Sequence, residues 1–197
     1  MQTLSKILYP HHLAMLTTES GISEGVIRER GYRSTSDKDE LRDLGFAEFQ
    51  IRIPALIIPI YGVDGELLFH RIRPDDPRED KQRPWRLVKY EQPSETGVAL
   101  DVSPLVLSGL KDPSQRLWVV EGEKKADALV SQGELAIALL GVWGWKRNKL
   151  PLPDWDYIPL VGREVRICFD SDASSIIEVL QAEQALAGYL RERGACG

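Results

Sequence analysis

At 197 residues, with 43% hydrophobic and 28% charged side chains, the chain suffices for one medium domain or two small ones sharing a core, and its composition is that of a soluble globular protein. No apolar run approaches the roughly 20 residues a membrane-spanning helix needs, and Met1-Gln2-Thr3-Leu4-Ser5-Lys6 lacks the charged-then-apolar order of a secretory signal, so a cytoplasmic location without membrane association is expected. A net charge of -5 excludes a protein that coats nucleic acid by bulk electrostatics, and two cysteines, Cys168 and Cys196, exclude both a disulfide framework and a four-ligand zinc ribbon.

Residues 1–50 predict short helices. Ser23 is placed to cap a turn through Val26, Ile27 and Arg30 that Gly31 ends. Ser36 followed by Asp39 resembles a capping box, Leu41 and Leu44 supply an apolar stripe, and Gly45 is a C-terminal stop. The segment reads as a small helical cap or docking module, and the adjacent His11 and His12 carry no expected metal role.

From residue 51 the pattern becomes extended. Ala55–Tyr61 and Leu67–Arg73 are strand-like runs separated by Val63-Asp64-Gly65-Glu66, whose Asp-Gly pair predicts a hairpin turn. On the second run Phe69, Arg71 and Arg73 share one face and Leu68, His70 and Ile72 the other, which aligns guanidinium groups. The window from Phe69 to Tyr90 carries a net +3 within an acidic chain; a solvated loop is the bland explanation. Residues 74–84 read as a polar loop, Trp85–Tyr90 as a short strand, and residues 91–116, rich in proline and glycine, as a connection.

Beyond residue 116 strands and helices alternate. Leu117–Val120, Ala136–Leu140 and Val165–Phe169 are buried-type strands, Glu123–Gln132 is a helix with Ala126, Leu129 and Val130 inward, and a long helix carries Ile176, Leu180, Leu186 and Leu190 in register before Gly194. This alternation implies a parallel sheet with covering helices, and thus an α/β fold. Ligands of such sheets bind beyond the carboxyl ends of the strands. Glu121 follows the first strand, and Asp170 and Asp172 follow the third; if these strands are neighbours, three carboxylates converge at one edge. Clustered carboxylates repel unless a cation neutralises them, and oxygen-only ligands suit Mg²⁺ or Mn²⁺ rather than zinc. Taken singly, each carboxylate has a local alternative, a turn for Glu121 and a helix N-cap for Asp170 or Asp172.

With those residues in view, Val119-Val120-Glu121-Gly122-Glu123-Lys124-Lys125-Ala126, the stretch from Gly133 to Gly141, and Phe169-Asp170-Ser171-Asp172-Ala173 resemble the successive motifs of the Toprim domain over residues 117–194. Upstream, Ile58-Pro59-Ile60, the Arg71/Arg73 strand and Val88-Lys89-Tyr90-Glu91-Gln92-Pro93 are similar to the basic subdomain that precedes Toprim in bacterial replicative primases. The nearest likeness is to Toprim cores of plasmid and phage replication proteins. Ala173-Ser174-Ser175 departs from the usual continuation after the second acidic motif, the cysteines of the preceding zinc domain are missing, and no helicase P-loop is present.

The resemblance implies three units: a helical segment over 1–50, a basic β-rich subdomain with linker over 51–116, and a Toprim-like domain over 117–197. It implies Mg²⁺- or Mn²⁺-dependent nucleotidyl transfer at Glu121, Asp170 and Asp172, with Arg71, Arg73 and Lys89 contacting nucleic acid or nucleotide; Lys124 and Lys125, near a helix N-terminus that favours anions, are placed either to contact phosphate or to balance the acidic centre. The corresponding partners are single-stranded DNA template, nucleoside triphosphates and a replicative helicase. A metal-dependent nuclease and a non-catalytic Toprim-like DNA-binding or assembly module remain as alternatives. Two further features stay open: Glu123 and Asp127 follow Glu121 on one helix, with Asp127 expected to be solvated, and Trp143 and Trp145 could stack bases or belong to the core.

Overall fold

The computed structural model describes residues 3–81, 83–170 and 176–197, with the backbone alone for Ile176. In chain order, α1 (Pro10–Ala14) continues through a π-turn over Met15–Glu19, followed by α2 (Glu24–Arg30), β1 (Arg33–Thr35) and α3 (Lys38–Asp43). Next come β2 (Ala55–Tyr61), β3 (Leu67–Pro74), the two-residue strands β4 (Arg78–Glu79) and β5 (Leu87–Val88), then β6 (Leu100–Val102) and α4 (Leu107–Leu110). The remainder is β7 (Leu117–Glu121), α5 (Glu123–Ser131), β8 (Leu135–Leu139), the short β9 (Lys146–Arg147) and β10 (Leu150–Pro151), β11 (Val165–Cys168) and α6 (Ile176–Glu192). No helix among the described residues is long and apolar enough to cross a membrane.

Local chemistry sets most of these boundaries. The Ser23 hydroxyl accepts from the Val26 N–H at the start of α2, and Gly31, at a φ of 82°, ends it in the left-handed conformation that favours glycine. At α3 the cap is Asp37 rather than Ser36, because its carboxylate accepts from the Asp39 N–H at 2.9 Å. The Asp64-Gly65 turn joins β2 and β3 as expected, with Gly65 at a φ of 87°. Pro59 sits in a strand with neighbours on both sides, but β1 pairs only with Ala55, Leu56 and Ile57, so Pro59 lies past its end, where a missing N–H is tolerated.

Two main sheets result. β1, β2 and β3 form an antiparallel sheet with β2 in the middle. A second sheet has the order β11-β7-β8-β6, with β11, β7 and β8 parallel and β6 antiparallel to β8. Leu100–Val102, within the stretch expected to be only a connection, is therefore a sheet strand, and the polar loop before Trp85 contains one strand of the β4–β5 pair.

Alternation along β7 and β8 covers both sheet faces. Val119 and Ile137 pack with Leu186 and Leu190 of α6 and with Trp145 and Trp155, whereas Val120, Ala136 and Ala138 pack with Ala126 of α5. Trp145 stacks on Tyr189, with ring centroids 5.4 Å apart, and belongs to the core, which removes it as a base-stacking platform. A third apolar cluster joins Leu4, Leu8, Leu16 and Ile27 to Leu56, Ile58 and Ile60 of β2, so the N-terminal helices dock directly on the first sheet. Partly buried Ala128 and Val130 of α5 pack against the same cluster.

Candidate functional site

Parallel pairing of β7 with β11 sets Cys168 opposite Val120, so both strands end at one sheet edge. Glu121, the last residue of β7, is half-buried there, and Asp170, two residues beyond β11, is exposed. Gly122 makes the turn into α5 at a φ of 90°, and its N–H donates to the Leu139 carbonyl, which ties that turn to the neighbouring strand. Neighbouring strands, the condition for convergence of the two acidic segments, are thus present. Asp172 lies outside the described residues.

The expected cations are placed in different ways. Lys125, on the first turn of α5, forms an ion pair with Asp170, both at the surface. Lys124 reaches the Ser20 hydroxyl at 3.4 Å, and burial, followed by the Arg73 charge, lowers its pKa. Arg73 lies against Met15 Sδ at 3.0 Å. Arg71 crosses from β3 to α5, where it donates to Glu123 while its guanidinium lies 5.1 Å from the centre of the Tyr90 ring. Lys89 is exposed. The aligned face of β3 thus turns toward α5 and the N-terminal helices, and Arg71 is occupied within the protein.

The carboxylates after Glu121 do not join the exposed edge. Glu123 is buried and paired with Arg71. Asp127, expected in solvent, is fully buried and accepts from the Tyr32 hydroxyl at 2.6 Å. The reason is the docking of α2 on α5, which brings Arg30 and Tyr32 over the helix face that carries it.

That docking creates a charge cluster that the sequence pattern did not reveal. Arg30 is fully buried and pairs with Asp101 of β6, while its Nε lies 3.4 Å from Asp127. Asp101 also accepts from the Tyr61 N–H at 3.1 Å. Burial pushes the Asp101 carboxyl up to about 7 against the opposing pull of Arg30, and burial likewise raises Asp127. Burial opposes the Arg30 charge, but Asp101 and then Asp127 more than offset it and hold its pKa above the ordinary value. Two signals were available: Arg30 falls on the apolar stripe of Val26 and Ile27, and Asp101 lies between Leu100 and Val102. Neither identifies the partner.

A second unexpected constellation joins His11, His12 and Asp75. The Nε2 atoms of both histidines lie 2.8 Å from different oxygens of the one carboxylate. The two histidines are not idle residues of a helical cap.

Against known proteins, a family model described as a domain of unknown function (DUF3854) matches residues 108–196. No curated protein matches. Among solved structures, the Aquifex aeolicus primase (zinc-binding and RNA polymerase domains) is similar at a TM-score of 0.65 and 17% identity, over 95% of this chain and 48% of that one. A DnaG catalytic core is similar at a TM-score of 0.57 and 18% identity, over 86% of this chain and 58% of that one. The RNA polymerase domain of Mycobacterium tuberculosis primase DnaG, in complex with double-stranded DNA, is similar at 0.55 and 18%, over 86% and 60%. The fold is therefore that of bacterial primase catalytic cores, and the chain spans about half to three-fifths of the length of these relatives.

Proposed function

We propose that this chain is the catalytic core of a primase-like nucleotidyltransferase in a plasmid- or phage-type replication protein, built on a Toprim-like domain over residues 117–197 behind a basic subdomain over 51–116 and a helical segment over 1–50. The carrying observation is the parallel β7–β11 pairing, which ends both strands at the sheet edge that bears Glu121 and Asp170. The likeness in fold to primase cores supports the same reading.

The donor set fits a hard divalent cation. Glu121 and Asp170 offer only oxygen, Asp170 is open to solvent, and Lys125 already balances its charge as a mobile cation would. Glu121, Asp170 and Asp172 would hold Mg²⁺ or Mn²⁺, which when bound lowers the pKa of an attacking hydroxyl and offsets charge on the transferred phosphoryl group. Lys124 and Lys125, on the first turn of α5, would attract the triphosphate, and Arg73 and Lys89 would hold template phosphates by salt-sensitive contacts. Arg71 acts differently: through Glu123 it fixes the basic hairpin against the helix that follows Glu121. Glu123 and Asp127, both buried in ion pairs, take no part in the cation site.

The test is primer synthesis on single-stranded DNA with nucleoside triphosphates and Mg²⁺ or Mn²⁺. Wild type should make oligonucleotides and Asp170→Ala none. Cleavage of DNA without nucleoside triphosphates would instead identify a nuclease, and metal binding with neither product a non-catalytic assembly module. Equal synthesis by both proteins would end the assignment of Asp170.

A further inference from the structure

We propose a second metal site, independent of the acidic sheet edge, in which His11 Nε2, His12 Nε2 and one oxygen of Asp75 bind a zinc-class divalent ion. The argument begins with an unusual convergence. Successive residues of a helix point about 100° apart, yet both rings turn to one carboxylate, with their centroids 4.2 Å apart. The three ligand atoms lie within 4.8 Å of one another. A tetrahedral ion with bonds of about 2.0 Å needs its ligands roughly 3.3 Å apart, a spacing that ligand atoms within 4.8 Å of one another reach by side-chain rotation.

The surroundings supply what such a site needs. The Asp75 N–H donates to the Pro54 carbonyl at 3.0 Å, which anchors the carboxylate at the end of β3. His12 is completely buried, and its Nδ1 lies 2.7 Å from the Ser34 hydroxyl, which also accepts from the Tyr9 N–H at 2.8 Å. Fixing the far nitrogen of a ligating imidazole is the common second layer of a metal centre. The other side is open: the His11 side chain is 53% exposed and that of Asp75 29%, leaving room for a water as the fourth ligand.

Protons balance in the exchange. A carboxylate only accepts, so in the metal-free arrangement each Nε2 carries the proton that it donates to Asp75. When the ion takes the Nε2 lone pairs, each ring carries its proton on Nδ1 instead and stays neutral. The Ser34 hydroxyl accommodates both states of His12, donating to Nδ1 without metal and accepting from Nδ1–H with it. Two imidazoles and one carboxylate favour Zn²⁺, Co²⁺ or Ni²⁺ over Mg²⁺. The bound ion would clamp α1 to the end of the basic strand β3, beside Arg73.

The experiment titrates the full chain, freed of metal, with Zn²⁺ and separately with Co²⁺. One equivalent of Zn²⁺ should bind and raise the unfolding temperature, and Co²⁺ should give the visible bands of a nitrogen–oxygen tetrahedral site without a thiolate charge-transfer band. His11→Ala, at an exposed position that preserves the fold, and Asp75→Asn should each weaken binding by roughly 100-fold or more. Cys168→Ser with Cys196→Ser should leave it unchanged. No saturable binding, equal affinity in His11→Ala, or a thiolate band would each overturn the site. Mg²⁺-dependent primer synthesis does not enter the readout.

Discussion

Arg71 of β3 and Glu123 of α5 form an ion pair across the junction between the basic hairpin and the α/β layer, with side chains 13% and 2% exposed. A charge buried this deeply is tolerated because its partner is equally fixed, and the Tyr90 ring screens the guanidinium from water on another side. The pair makes the orientation of the hairpin depend on the helix that starts beside Glu121.

Glu123→Ala should therefore destabilise the protein by about 3–5 kcal/mol, because it leaves Arg71 without a counter-charge in a partly buried position. Replacing both partners by methionine should recover much of that loss. Urea denaturation of the two single variants and the double variant measures the coupling. A loss below about 1 kcal/mol for Glu123→Ala would show that water reaches Arg71 freely.

Arg30→Met should leave Asp101 and Asp127 buried without their cation. Burial already raises the pKa of both, and loss of Arg30 raises it further. A carboxylate whose folded pKa exceeds its unfolded value contributes stability at low pH and loses it as pH rises through the folded value. The deficit of the variant relative to wild type should thus be largest, about 3–5 kcal/mol, above pH 7 and shrink toward pH 5. Denaturation midpoints at the two pH values decide the matter; a deficit independent of pH contradicts it.

Lys125 and Asp170 should separate stability from activity. Their ion pair is exposed, so Lys125→Ala and Asp170→Asn should each change stability by less than about 1 kcal/mol. Primer synthesis should fall sharply in Lys125→Ala and vanish in Asp170→Asn. Normal synthesis with a large stability loss would reverse the assignment and make the pair structural.

His12 and His70 should titrate below their usual value of 6.5, burial being the largest cause for both, followed for His70 by the charge of Arg33. A histidine with a depressed folded pKa contributes stability above its unfolded value and loses it as pH falls through the folded one. Acidification below pH 6.5 should accordingly cost stability, less so in His70→Asn. Imidazole NMR titration checks the order directly, and a His12 midpoint above 6.5 would contradict the burial argument.

The alternation of strand and helix after residue 116 identified β7, α5, β8, β11 and α6 to within about a residue or two at their ends, because a two-residue period and a helical stripe are written directly into buried apolar positions. The hairpin was equally plain, since Asp64-Gly65 supplies the positive φ its turn requires. Asp37 displaces Ser36 as the cap of α3 because its carboxylate, one residue later, takes the Asp39 N–H. Leu100–Val102 carries no resolvable period, being three residues between loops, and becomes a strand only against β8.

Residue types alone determined that Glu121 and the Asp170 segment each follow a strand, and hence that a cation site was conceivable. Tertiary structure decided which charges meet. It put β7 beside β11, turned Arg71 inward to Glu123, buried Asp127 against Arg30 and Tyr32, and brought His11 and His12 to Asp75, more than 60 residues away in the chain. Periodicity records whether a side chain faces a core. It cannot record what stands opposite, because that partner comes from a distant segment whose position is set by the packing of every element between them.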